Sequence, residues 1–146
     1  MKLVGFVVGC VLVASAACSS SANVSGERRN VGSVTVTFTV VPSNAKAGQS
    51  VRLTIRLVNN GGTATDLTFP TSQRYDFWVT DGSTEVWRWS AGRMFTQEVN
   101  RLQIGGQTGA VFAESWSASR TGKLMAHAEL KARTYGGEMK GAMNVG

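Results

Sequence analysis

Three of the four tryptophans fall within the stretch RYDFWVTDGSTEVWRWSAGRMFTQ, residues 74–97, beside Tyr75, Phe77 and Phe95. Each large ring removes roughly 150 Å² or more from water when it packs, so a segment this rich in rings requires a core on at least one side. An Asp81-Gly82 turn sits between two alternating runs, which predicts a β-hairpin. With a three-residue loop over Asp81 to Ser83, Phe77 falls opposite Trp87 and Tyr75 opposite Trp89, making one face aromatic. The same register sets Asp76 against Arg88 and Trp78 against Val86 on the other face. Tyr75, Phe77, Trp87 and Trp89 are therefore expected in the core, with Phe95 and Trp116 anchoring neighbouring segments. Asp76, Trp78 and Arg88 are candidate partner-binding residues, since Trp and Arg dominate interface hot spots. A cross-strand ion pair beside an aromatic is also ordinary in a sheet, and that is the simpler account of them.

The rest of the chain repeats the two-residue period. Val34, Val36, Phe38 and Val40 alternate with threonines, and Val51, Leu53, Ile55 and Leu57 alternate with Arg52, Thr54 and Arg56. Short strands follow over Thr65 to Phe69, Glu98 to Ile104 and Ala110 to Trp116, then Leu124 to Lys131 and Met139 to Val145. A bend is expected near Val99 and Leu102, whose parities differ. Glu114 shares the side of Phe112 and Trp116, which implies an open strand end or a different facing. About seven to nine short strands without an amphipathic helix make the chain all-β, with two packed sheets.

The run RYDF, the Asp-Gly turn, VWRWS, and then an arginine and FTQ resemble the BsuPI type of domain, named for intracellular inhibitors of bacterial serine proteases. The likeness extends more weakly over Val34 to Val145. It implies an immunoglobulin-like antiparallel β-sandwich and inhibition of a subtilisin-like serine protease, a non-catalytic activity. It supplies no reactive-site position.

Residues 1–18, MKLVGFVVGCVLVASAAC, read as a lipoprotein-type signal peptide ending at Cys18, the expected lipidation site. The apolar run of about eleven residues is too short for an ordinary spanning helix, which needs roughly twenty. Ser15 departs from the usual lipoprotein pattern, and Ala14-Ser15-Ala16 also suits simple secretion. Cys10 would leave with the leader, so Cys18 has no disulfide partner. Residues 19–32 read as a flexible polar tether and 33–146 as the β-sandwich domain. The expected location is the cell envelope, as an exported, membrane-anchored lipoprotein or a secreted protein, and the expected state a monomer. A net charge of +6 with scattered basic residues argues for loose attraction to acidic surfaces and against nucleic acid.

Catalysis finds little support in the residues. The lone histidine, His127, falls on the polar face of its strand and reads as a solvated surface residue. No carboxylate or histidine cluster has the spacing of a catalytic or metal site, so no metal and no cofactor are expected. Two loops are long enough to enter a protease cleft. Residues 90–97 present Arg93, Met94 and Phe95, and residues 117–123 present Arg120. Subtilisin-like enzymes accept large apolar side chains, so Met94 is the preferred first-pocket residue, unless Phe95 plugs the core and holds the loop down. Expected partners are thus a serine protease or another envelope protein, and the membrane through the lipid anchor. The alternative is a structural or adhesive immunoglobulin-like module using the Trp78 face; a glycan-binding domain lacks a supporting polar constellation.

Overall fold

A computed structural model describes residues 23–146, and the alternating segments become eleven strands there. In chain order they are β1 (Ser25–Val31), β2 (Val34–Val41), β3 (Asn44–Ala45), β4 (Ser50–Asn59), β5 (Thr65–Phe69) and β6 (Tyr75–Asp81). Then come β7 (Thr84–Arg88), β8 (Asn100–Ile104), β9 (Gly109–Ser117), β10 (Gly122–Leu130) and β11 (Gly137–Val145). One sheet has the order β1-β2-β4-β9 and the other β3-β11-β10-β6-β7, while β5 and β8 pair separately. The two larger sheets form an immunoglobulin-like β-sandwich, antiparallel except where β3 runs parallel to β11.

The core lies where the alternation points. Val36, Phe38 and Val40 of β2 and Leu53, Ile55 and Leu57 of β4 are buried against Phe77 and Val79 of β6, and against Ala126, Ala128 and Leu130 of β10. Each such large apolar side chain contributes about 1.5–3 kcal/mol. The margin of β1 and β2 closes tightly on β11, because a Cβ at Gly141 would come within 2.8 Å of Val40 Cγ2 and 3.2 Å of the Gly26 Cα. The opposite margin, between β7 and β9, is filled by rings instead. Tyr75, Trp89 and Phe112 meet there, with centroids 4.6 Å apart for Tyr75 and Trp89 and 5.2 Å for Tyr75 and Phe112.

Several expectations change. The hairpin loop holds two residues, Gly82 and Ser83, with Gly82 at φ 57° in the first position, where such loops place glycine. Asp81 pairs with Thr84 and Thr80 with Glu85; an irregularity then leaves Val86 unmatched, and Val79 pairs with Trp87 and Trp78 with Arg88. The faces are as expected, but every cross-strand partner beyond the irregularity has moved by two residues. The tether expected over 19–32 is corrected from Ser25 onward: this segment pairs with β2 throughout, Arg29 against Val36 and Glu27 against Phe38. The β8 strand begins at Asn100, leaving Val99 outside it and exposed. The expected leader over 1–18 and the lipidation of Cys18 lie outside the described residues.

Candidate functional site

On the outer face of the hairpin, Asp76 is 2% exposed and acts as an internal anchor. Its carboxylate accepts hydrogen bonds from Arg88 Nη1 at 2.7 Å, Ser90 Oγ at 2.7 Å, the Ser90 amide at 3.2 Å and the Phe77 amide at 2.9 Å. Arg88 also donates to Glu85, at 2.7 and 2.9 Å, and its guanidinium lies 4.4 Å from the Trp78 ring centre. The Glu85 hydrogen bond, with help from Asp76, holds the Arg88 pKa above its usual value against the opposing effect of burial. Trp78 is half-buried between Arg88 on β7 and His127 on β10, whose ring stacks on it at 5.0 Å and 4°. The structure thus shows Asp76, Trp78 and Arg88 engaged with one another and with the chain.

His127 is not a solvated surface group. It does face outward, but Trp78 covers its ring, Thr80 Oγ1 lies 2.9 Å from Nε2, and Glu138 Oε1 lies 2.7 Å from Nδ1. Neighbours on adjacent strands bury it, which alternation along one strand does not reveal.

The 90–97 loop has a different character. Trp89 opens it, with its amide bonded to the Phe77 carbonyl at 2.9 Å. Its indole Nε1 is buried without a hydrogen-bond partner among the described residues, so the ring is held by its faces and edges. Tyr75 packs on it, the Arg93 guanidinium lies 4.4 Å from the ring centre, and the Phe95 ring lies 6.0 Å away. Arg93 Nε also donates to the Trp89 carbonyl at 2.9 Å. Between these two anchored neighbours, Met94 is 98% exposed. Further along, Thr96 and Ser72 exchange hydrogen bonds of 3.0 and 2.8 Å, which fixes the far side of the loop. From Arg93 to Val99 the chain has no ladder partner. Phe95 is half-buried, so it steadies the loop while Met94 stays out.

Arg120, in the second loop, reaches back to the hairpin tip and pairs with Asp81 at 2.7 Å. Among the aromatic residues expected inside, Phe77 and Trp116 are buried, whereas Tyr75, Trp87 and Trp89 are partly buried and pack against the core. Glu114 does share the side of Trp116, and there it accepts the Tyr75 hydroxyl at 2.6 Å. Burial, followed by this bond and the Glu114 charge, pushes the Tyr75 pKa well above its usual value, with Arg93 opposing.

The profile of the BsuPI family, intracellular proteinase inhibitor, matches residues 34–135. The chain belongs to this family. An inhibitor family of this kind is non-catalytic and implies a protease partner. Its description as intracellular overturns the expected exported, envelope-anchored location. No curated protein matches the sequence. Among solved structures, the chain is similar to the CARDB domain of a Pyrococcus furiosus protein, at 13% identity and a TM-score of 0.41, covering 84% of this chain and 94% of that one. It is also similar to the C-terminal domain of Wzt, at 12% identity and a TM-score of 0.49, covering 83% and 78%. A Paenibacillus sp. cycloisomaltooligosaccharide glucanotransferase matches at 17% identity and a TM-score of 0.43 over 70% of this chain, which spans 12% of that enzyme.

Sequence reasoning did not anticipate the hollow on the outer face of the β3-β11-β10-β6-β7 sheet, where Lys123, Met125, Lys140 and Ala142 come together. Their alternation is visible along each strand, but their meeting depends on the β10-β11 register.

Proposed function

We propose that the chain inhibits a serine protease of the subtilisin type by presenting Met94 to the enzyme's first specificity pocket. The observation that carries this reading is the 98% exposure of Met94 between two residues packed on one tryptophan. A large apolar side chain standing in water gains about 1.5–3 kcal/mol when a partner buries it. Here its neighbours are already immobilised, so docking would lose little conformational freedom, the usual advantage of a preorganised binding loop. The segment from Arg93 to Val99 has no ladder partner and, apart from the Arg93 amide bonded to Ser90 and Thr96 bonded to Ser72, its backbone groups can add to a strand edge of the enzyme. Trp78, enclosed by Arg88 and His127, and Arg120, paired with Asp81, are less available for this task.

The test is a titration of the full chain against a subtilisin-type protease, following residual activity and the integrity of the chain together. Stoichiometric loss of activity with the chain uncleaved is expected. Burial of a methionine side chain is worth about 1.5–3 kcal/mol, so Met94→Lys should weaken inhibition roughly 10- to 150-fold while leaving the fold intact. Full protease activity in the presence of the unaltered chain, or equal inhibition by Met94→Lys, defeats the reading.

A further inference from the structure

A second surface feature is independent of the Met94 loop. A hollow of about 640 Å³ lies on the outer face of the β3-β11-β10-β6-β7 sheet, floored by β10 and β11. This size falls within the roughly 300–1,000 Å³ range of small-molecule sites. Its floor follows from the register: Lys123 lies opposite Asn144, Met125 opposite Ala142, and His127 opposite Lys140. These residues share one side of the pleat, making three rows that are polar, apolar and polar in turn. The two lysines occupy diagonal corners, four residues apart along the strands, which corresponds to roughly 13 Å. Asn44 of β3 and Thr80 of β6 stand at the sides.

The electrostatic character is one-sided. Among the described residues, Lys123 and Lys140 line the hollow and no carboxylate does. Glu138, the nearest acidic residue on β11, directs Oε1 to His127 Nδ1 at 2.7 Å and lies 3.8 Å from Lys140 Nζ. His127 has a partner at each ring nitrogen, so it serves as a rigid wall. Both lysines are exposed; Lys140 is ion-paired with Glu138, whereas Lys123 has no such pair among the described residues and can move its ammonium group over the floor. Between them, the Met125 thioether and the Ala142 methyl offer an apolar surface that a fully polar anion would not use.

We propose that this hollow is a binding site for a small amphipathic anion, its acidic group held by Lys123 or Lys140 and its apolar body laid over Met125 and Ala142. The charge complementarity selects an anion, and the apolar middle row selects one that carries hydrocarbon or an aromatic ring. Asn44 and Asn144 can donate amide hydrogens to the acidic group from the rim.

The probe is anilinonaphthalene sulfonate, an aromatic anion, titrated into the full chain by fluorescence, with backbone amide shifts locating the contact. Phenylnaphthylamine serves as its uncharged counterpart and oligoglutamate as a purely acidic one. Saturable binding of one sulfonate per chain is expected, with shifts on β10 and β11. The double variant Lys123→Glu, Lys140→Glu should weaken it at least about tenfold, the loss of one charge-assisted hydrogen bond. Ala142→Gln, which fills the apolar row with an uncharged polar side chain from an exposed position, should weaken the sulfonate and phenylnaphthylamine alike. No saturable binding, undiminished binding by the lysine variant, or shifts confined to the Trp89 cluster each overturn the proposal. So does oligoglutamate binding as tightly as the sulfonate, because the apolar row would then have no part in recognition.

Discussion

Asp76→Ala tests whether the hairpin and the start of the 90–97 loop are held as one unit. The substitution removes the acceptor for Arg88, for the Ser90 hydroxyl and amide, and for the Phe77 amide. Hydrogen bonds to a charged group are worth about 1.5–3 kcal/mol each, and deleting one partner of a buried ion pair costs about 3–5 kcal/mol. Arg88 is 30% exposed and retains Glu85, so it is not left stranded. A loss of about 3 kcal/mol, at the lower end of that range, is therefore expected. Asparagine keeps an oxygen for the two amides but puts an NH2 donor where Oδ2 accepts from Arg88 and the Ser90 hydroxyl, so Asp76→Asn should lose less than alanine, about 2 kcal/mol, through those two contacts. Urea unfolding followed by tryptophan fluorescence measures both. With a slope of about 1–3 kcal/mol per molar urea, the alanine midpoint should fall by about 1–3 M at unchanged slope. An alanine loss below about 1 kcal/mol would show that the carboxylate does not organise this region.

Hydrogen peroxide should oxidise Met94, 98% exposed, well before Met139 at 1% and Met143 at 4%, as peptide mass spectrometry would show. The polar sulfoxide should weaken protease inhibition, and Met94→Leu should inhibit while resisting peroxide; equal oxidation rates at the three methionines would contradict the exposure argument. Tyr75, whose pKa burial and Glu114 raise above the usual 10.0, favours the neutral phenol in the fold. Its contribution to stability is complete below pH 10 and is lost as the pH rises from there towards the elevated folded value, so phenolate absorbance of Tyr75 should appear only well above pH 10. Ionisation of both tyrosines near pH 10 in the folded chain would refute this. Arg120→Ala breaks an ion pair whose side chains are 56% and 35% exposed, so it should cost about 0.2–1 kcal/mol in urea titrations and leave inhibition unchanged.

The fold was legible wherever a strand has one apolar face. β2, β4 and β10 announce themselves because a one-residue slip would expose Val, Leu or Phe to water, and nothing else in their composition competes with that period. β1 was not legible. Its seven residues include Arg28, Arg29 and Asn30, and none is fully buried, so its strand state comes from pairing with β2 and from Arg29 donating to the Tyr135 carbonyl at 2.6 Å. The hairpin shows an intermediate case. Alternation correctly assigned the inner face to Tyr75, Phe77, Trp87 and Trp89 because parity survives a shift of two residues. The partners were displaced because a two-residue loop alone would put the rings on opposite faces, and the irregularity at Val86 restores them.

The candidate site divides along the same line. The exposure of Met94 could be anticipated from loop length and residue type, since both are local properties. The residues that hold it in place could not be identified so directly, because Arg93 and Phe95 turn towards a tryptophan that the strand pattern assigned only to the core. Trp89 does both, bonding β6 through its backbone while its ring supports the loop. Asp76 left two readings open in the sequence, a contact surface with Trp78 and Arg88 or the simpler ion pair with Arg88, and its 2% exposure and 2.7 Å bond to Arg88 identify it as an internal anchor. Charge and ring size in a sequence indicate which residues can interact strongly. Whether they spend that capacity on a partner or on their own chain depends on what the next strand places beside them, and here β10 supplies His127 to Trp78 while leaving Lys123 and Met125 at the surface hollow.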